Sequence, residues 1–289
     1  MAFDELMGLT NRLLTSAQGL AAMTAALRLA ELGEEGDPAV RAQLDRVTET
    51  LGVREQLAGL EAGERAVLVA FSRSYLAQAL DLVDDPTRKG AWSHGDPVLL
   101  QAQGSASAVV AQLISQAGLG SPGARILDVG SGVAGLSIAF CRTFPESTVV
   151  GIDPWPPAMT LARRNVAEAG LDSRITLVET TVQDYEDNEG FDVAWLPSFF
   201  IPETVLDDAV ARVLVLLRTS GTIVVGVTYA DETDPLGAAA DDLFTVRSGG
   251  SILDPARASA LLVRTGFADV RELDRTWNPP LRFVVGRRS

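Results

Sequence analysis

Along this chain the spacing of apolar positions changes once, close to residue 120. Before that point apolar residues recur every three or four positions, the period of an amphipathic helix. Residues 3–33 place Leu6, Leu9, Leu13, Leu14, Leu20, Met23, Leu27 and Ala30 at helical spacing and stop at Gly33. Asp37 and Pro38 predict the N-cap and first turn of a second helix that reaches Leu51, with Gly52 closing it. A third helix is predicted from about Gly63 to Val83, where the run Asp84, Asp85, Pro86, Thr87 breaks it. Residues 88–97 read as a loop from their Gly and Pro content, and Asp96 with Pro97 opens a helix reaching about Ala117.

Beyond 118–124, a segment rich in Gly with one Pro, short apolar runs take over. Strands are predicted at 125–129, 147–152, 174–179, 191–196 and 221–228, separated mostly by helices at 135–143, 156–169 and 203–218. That alternation predicts an α/β fold with a parallel, doubly wound sheet. Residues 230–253 are too long for a simple connection and predict a partly helical insertion near the carboxyl ends of the strands. A helix at 254–265 ends at Gly266, and strands at 268–276 and 281–287 flank Asn278-Pro279-Pro280 as an antiparallel closing pair. The expectation is a seven-stranded, mostly parallel doubly wound sheet with an N-terminal all-helical cap domain. Residues 1–118 form the cap, 119–289 the sheet domain; the helical block serves as a lid or as a dimerisation surface.

Composition narrows the function. A net charge of −14 argues against holding nucleic acid by phosphate neutralisation and against anionic membranes. No apolar stretch was expected to approach the ~20 residues of a membrane span, and the start MAFDEL lacks the basic, apolar opening of a secretion signal. A soluble cytoplasmic protein is the expectation. Cys141 is the single cysteine and His94 the single histidine, so one chain can form neither an internal disulfide nor a Cys/His metal cluster. Cys141, beside Ile138, Ala139 and Phe140, is expected to be buried. The doublets Asp84-Asp85 and Asp207-Asp208 read as solvated faces; Asp241-Asp242, in the insertion, is kept open. No metal is expected.

The candidate chemistry lies at 123–153. An apolar run ends at Asp128, glycines follow at 130, 132 and 135, and a second apolar run, from Val149 to Ile152, ends at Asp153. Gly130, Gly132 and Gly135 match G-x-G-x-x-G, and Asp153 stands 18 residues after the last of them, close to a dinucleotide fingerprint. Asp128 argues for a different ligand, because a carboxylate beneath a pyrophosphate repels it. A ligand with a sulfonium and an ammonium suits it.

Here the chain resembles the class I S-adenosylmethionine-dependent methyltransferases over about residues 120–288. Their first motif matches Asp128-Val129-Gly130-Ser131-Gly132, and Asp153 falls where the family binds both ribose hydroxyls. Residues 177–185 match the strand and turn bordering the adenine, and 191–203 the fourth strand with its active-site end. Residues 216–227 match the helix, turn and fifth strand. Two positions depart: Ala134 replaces the third glycine of Gly-x-Gly-x-Gly, and Thr180 and Thr181 stand where many members carry an acid. The resemblance implies S-adenosyl-L-methionine held by Asp128, Gly130, Ser131, Gly132, Asp153, Trp155, Thr181, Val182 and Pro197; by its place before the sheet, Gln103, with Gly104, either contacts the methionine end or is a polar helix residue facing water. Trp155 either walls the adenine or packs under the next helix. Phe199 and Phe200, past Pro197 and Ser198, line an acceptor pocket or join the core.

Methyl transfer is an in-line displacement, so alignment supplies most of the rate and a base is needed only for a weakly acidic acceptor. His94 is the candidate base by type; Tyr229 and Asp231 are candidates by position. Plant-type aromatic O-methyltransferases carry a histidine base in their C-terminal half, and this chain has none there. The expected function is methylation of a small, secondary-metabolite-like acceptor on oxygen, carbon or nitrogen. Two alternatives stand beside it: an NAD(P)-dependent oxidoreductase and a non-catalytic cofactor-binding scaffold.

Overall fold

A computed structural model describes residues 2–228, 233–277 and 281–289. Its elements run α1 (Phe3–Leu32), α2 (Pro38–Thr50), α3 (Arg54–Gly59), α4 (Ala62–Asp84), α5 (Pro97–Ser107), α6 (Val109–Gln116), β1 (Arg125–Val129), α7 (Gly135–Thr143), β2 (Thr148–Ile152) and α8 (Pro156–Glu168). They continue with β3 (Ile175–Val178), β4 (Phe191–Pro197), a single 3₁₀ turn at Ser198–Phe200, α9 (Glu203–Leu216), β5 (Leu217–Thr228), α10 (Pro235–Arg247), α11 (Pro255–Thr265), β6 (Ala268–Glu272) and β7 (Leu281–Arg287).

The chain divides into two compact units, Met1–Leu80 and Asp81–Ser289. α5 and α6, which the helical periodicity groups with the N-terminal block, belong to the second unit. In the first unit α1 packs along α2. Asp37 caps α2 by accepting from the Ala39 and Val40 amides at 2.9 and 3.0 Å. Phe3, Leu6, Met7, Leu13 and Leu14 on α1 are exposed.

In the second unit seven strands form one sheet in the order β3-β2-β1-β4-β5-β7-β6. β1 to β5 pair in parallel, and β7 runs antiparallel to both β5 and β6. Alternating strand residues feed two cores, as a sheet covered on both faces requires. Ile126, Val149, Val193 and Val224 join α6, α7 and α8 on one face. Leu127, Val150, Ala194 and Val225 join α9 and α11 on the other. Strand order reverses between β1 and β4, which opens the crevice where such sheets hold ligands.

Several boundaries move from their expected places. The helix expected over 97–117 breaks at Ala108 into α5 and α6, and α3 is additional. β5 begins at Leu217, where its residues pair with Phe191, and β6 stops at Glu272. α4 and the combined stretch Pro97–Gln116 have the length and hydropathy of a membrane span, contrary to the expectation that no stretch would. Half of the second window is buried inside the fold. Tyr229 and Asp231, like Asn278-Pro279-Pro280, lie outside the described residues.

Candidate functional site

The turn after β1 is stitched to the end of β2. The Gly130 and Ser131 amides both donate to the Ile152 carbonyl, at 2.8 and 3.0 Å, and the Ala134 amide donates to the Ser131 carbonyl at 2.8 Å. The Gly132 amide donates to Asp153 Oδ2 at 2.9 Å, while Asp153 Oδ1 accepts from the Trp155 amide at 2.8 Å. Gly130 and Gly132 have positive φ, +70° and +54°, which glycine adopts without steric cost. Ala134 also stands in the left-handed region, at φ +64°, as the N-cap of α7. For an L-residue that conformation costs about 1 kcal/mol.

Gly135 serves packing rather than ligand approach. A Cβ there would lie 2.1 Å from the Gly104 carbonyl oxygen, so α5 and α7 touch through backbone. Gly104 is equally confined, because its Cβ would meet Val133 Cγ2 at 2.2 Å. Gly151 on β2 has a related role, since a Cβ there would press on Ser131 at 2.9 Å. Gly151 did not stand out in the sequence as part of the site, although a lone glycine inside a strand signals a close approach.

Asp128 is 1 % exposed and Asp153 7 % exposed. Burial pushes Asp128 up to about 7; the Ser137 hydroxyl, donating at 2.6 Å, opposes the shift and Asp153 adds to it. Burial also raises Asp153, against the two amides it accepts. The Ser137 amide, in the first turn of α7, also opposes the upward shift of Asp128. The carboxylate thereby occupies the helix N-terminus where a pyrophosphate would otherwise bind. The Ser131 hydroxyl is buried with no hydrogen-bond partner among the described residues.

Around this pair the other expected residues fall as follows. Pro197 ends β4, and its ring lies against Gly130, 3.8 Å from where a Cβ would stand. Val182 is buried in the core shared with β1 and β2. The Thr181 hydroxyl donates to Asp184 Oδ2 at 2.7 Å and accepts from the Asp184 amide, so it is engaged within its own turn. That contact puts a carboxylate, Asp184, beside Thr181. Gln103, on α5, is half-buried one position before Gly104.

Trp155 is half-buried beside Trp92 in a small cluster with Leu100, Val133 and Ala158, and its indole Nε1 donates to the His94 carbonyl at 2.7 Å. Trp92 meets both His94 and Phe200 edge-on, with centroids 4.9 Å apart in each pair, and Phe199 meets Phe200 at 5.0 Å. His94 itself is 9 % exposed. Its Nε2 is 3.5 Å from Arg88 Nη2 and its Nδ1 is 3.9 Å from Asp81 Oδ1. Burial lowers its pKa and the Arg88 charge lowers it further, with Asp81 opposing.

Arg247, 6 % exposed at the end of α10, binds this group together. It donates to the Arg88 and Asp81 carbonyls and to Asp81 Oδ2, each at 3.1 Å, and to the Asp85 carbonyl. Burial works to raise the Asp81 pKa, but hydrogen bonds from Arg88 and Arg247 outweigh it and hold the carboxyl below its usual range. The loop after α10 closes against the 3₁₀ turn. Ser251 donates from its amide to the Ser198 carbonyl at 3.0 Å and from its hydroxyl to the Ile201 carbonyl at 2.8 Å. Asp81, Arg88 and Arg247 were invisible as a set in the sequence, because they come from separate elements. Among the described residues no group of three His, Cys, Asp or Glu is placed to hold a metal ion. Cys141 is buried, with its thiol pKa raised by burial. Burial also raises Asp241, with Asp242 and Asp234 adding to the shift.

A family profile described as a methyltransferase domain matches residues 126–221. A release factor glutamine methyltransferase of Geobacter sulfurreducens is 31% identical over 84 residues, 29% of this chain and 29% of that protein. The chain thus aligns with less than a third of the length of the curated relatives it matches. Among solved structures, an O-methyltransferase family protein from Burkholderia thailandensis superposes with a TM-score of 0.65 at 14% identity, covering 100% of this chain and 98% of that one. Human N-acetylserotonin methyltransferase, solved with S-adenosylmethionine, gives 0.63 at 15% identity, covering 100% and 99%. Residues 126–221 thus match a methyltransferase domain, and the chain shares the fold of these methyltransferase structures.

Proposed function

We propose that this protein transfers a methyl group from S-adenosyl-L-methionine to a small-molecule acceptor. One observation carries the reading: a buried carboxylate, Asp128, occupies the N-terminus of α7 while the Gly130, Ser131, Gly132 and Ala134 amides are spent inside the fold. A pyrophosphate needs those donors free. A cationic ligand gains from the same arrangement, which weakens the NAD(P)-dependent alternative. Each Asp153 oxygen has a further lone pair for a ribose hydroxyl, and the orphan Ser131 hydroxyl supplies one more polar contact. Asp184 is our candidate for the acid at the adenine.

Bound there, the donor supplies an electrophilic methyl group. The chain's part is to align an acceptor with it and to exclude water. Trp92, Phe199 and Phe200 offer aromatic walls, suited to a flat, apolar small molecule of the kind secondary metabolism provides. The name of the human neighbour, N-acetylserotonin methyltransferase, fits a small aromatic acceptor. His94 is kept unprotonated by burial, but Arg88 faces its Nε2, and we assign it to holding the loop rather than to accepting the acceptor's proton. We further propose a cytoplasmic enzyme that uses neither nucleic acid nor membrane, consistent with a net charge of −14. The exposed apolar positions on α1 suit a homodimer formed through the N-terminal helices.

Calorimetry with S-adenosylmethionine and with NADH tests the cofactor; NADH binding without a response to the methyl donor overturns the reading. Labelled methyl donor incubated with protein and a metabolite extract identifies the acceptor, and binding without transfer to any component favours the scaffold. Asp153→Ala is expected to weaken donor affinity by about 1–3 kcal/mol, read as the dissociation constant.

A further inference from the structure

We infer that burial beside Asp153 keeps Asp128 a carboxylic acid in the ligand-free protein, with Ser137 as the positioning residue that favours its ionised form, so that its proton passes to solvent when the cationic end of the methyl donor enters. The inference rests on the donor reading above. Ser137 is fully buried in the first turn of α7 and gives Asp128 its hydroxyl at 2.6 Å, and its amide also favours the ionised carboxyl. Asp128 sits at the end of β1 between Gly151 of β2 and Trp195 of β4, neither of which brings a charge. The charged group acting on it is Asp153, of the same sign. Two neutral donors against one like charge, with no water access, leave the ionised form poorly compensated. Burial drives this carboxyl's pKa to neutrality, and the donors from Ser137 keep it from rising further. A positive charge arriving in the crevice adds the missing compensation, so binding favours ionisation and the proton passes to buffer.

Titration calorimetry of S-adenosylmethionine in buffers of different ionisation enthalpy, across about pH 6–8, counts the protons released. The expected result is release of up to about one proton per donor bound, abolished in Asp128→Asn. Ser137→Ala moves the pH midpoint of donor affinity upward, and Ser137→Thr restores it. A purely structural Ser137 would lower thermal stability and leave that midpoint in place. S-adenosylhomocysteine, which lacks the sulfonium charge, assigns the effect: release with both ligands traces it to the ammonium group, release with the donor alone to the sulfonium. Binding heats independent of buffer, or an unmoved midpoint in Ser137→Ala, overturn the inference while leaving the methyltransferase reading intact. A failure of any donor to bind counts against that reading instead. The infrared band of a protonated carboxyl in the empty protein, lost in Asp128→Asn, then decides the protonation state by itself.

Discussion

The two sides of the proposed site differ in what long side chains add. On the proposed cofactor side, at the ends of β1 and β2, backbone does the positioning. Gly104 meets Gly135 through a carbonyl, Gly151 makes room for Ser131, and Asp153 ties the turn down through two amides. On the proposed acceptor side, long side chains from distant segments join the backbone contacts: Arg247 reaches Asp81, Asp85 and Arg88, and Trp92 joins His94 to Phe200. Backbone contact tolerates almost no added volume, whereas a side-chain network tolerates volume but not the loss of a charge.

The acceptor side should therefore break most severely by deletion of charge. Arg247→Met strips a buried cation from Asp81 and from three carbonyls, and should cost about 3–5 kcal/mol in denaturant unfolding. The two sides should also titrate oppositely. Asp128 has its pKa raised in the fold, so the stability it contributes is full in acid and is lost as pH rises through about 7. Between pH 5 and 8 that loss should be about 2–3 kcal/mol, and Asp128→Asn should melt above the unaltered protein at the alkaline end. His94 has its pKa lowered, so its contribution is present above its ordinary value and is lost as pH falls. His94→Gln should flatten the acid limb of melting temperature against pH, and a curve parallel to the unaltered protein's would refute the assignment.

Added volume should hurt both sides, since a Cβ on Gly250 would lie 2.0 Å from the Phe199 carbonyl oxygen and one on Gly90 2.2 Å from that of Val246. Gly135→Ala must push its methyl into the Gly104 carbonyl and should cost about 1–3 kcal/mol, with donor affinity falling alongside. The smallest effect runs the other way. Ala134→Gly relieves a left-handed φ and should stabilise by about 0.5–1 kcal/mol in thermal unfolding.

How much of this was legible in the chain depended on the range of the interaction. Asp96, Asp254 and Gly266 mark helix ends through contacts within four residues, and the helices begin and end there. The break at Ala108 has no such local mark, since both halves keep the same apolar character. β5 starts early because Leu217 pairs with Phe191, a partner on another strand. Thr181 illustrates the limit at the site: its hydroxyl could be foreseen, but its commitment to Asp184 belongs to the conformation of the turn. Val182 could be named from the resemblance and Gln103 from its place before the sheet, while Ser137 went unnoticed although it stands nine residues after Asp128.

The sequence alone determined the alternation of strand and helix, the glycine turn between two acids and the class of ligand those acids admit. Periodicity, capping and charge act over a few residues and are written in their order. Tertiary structure decided which glycines serve packing, that Asp128 lies dry against Ser137 and the N-terminus of α7, and that Asp81, Arg88, His94 and Arg247 form one group. Burial and electrostatics depend on what the fold brings within a few ångströms, and residues 166 positions apart, such as Asp81 and Arg247, carry no sign of each other until the chain closes.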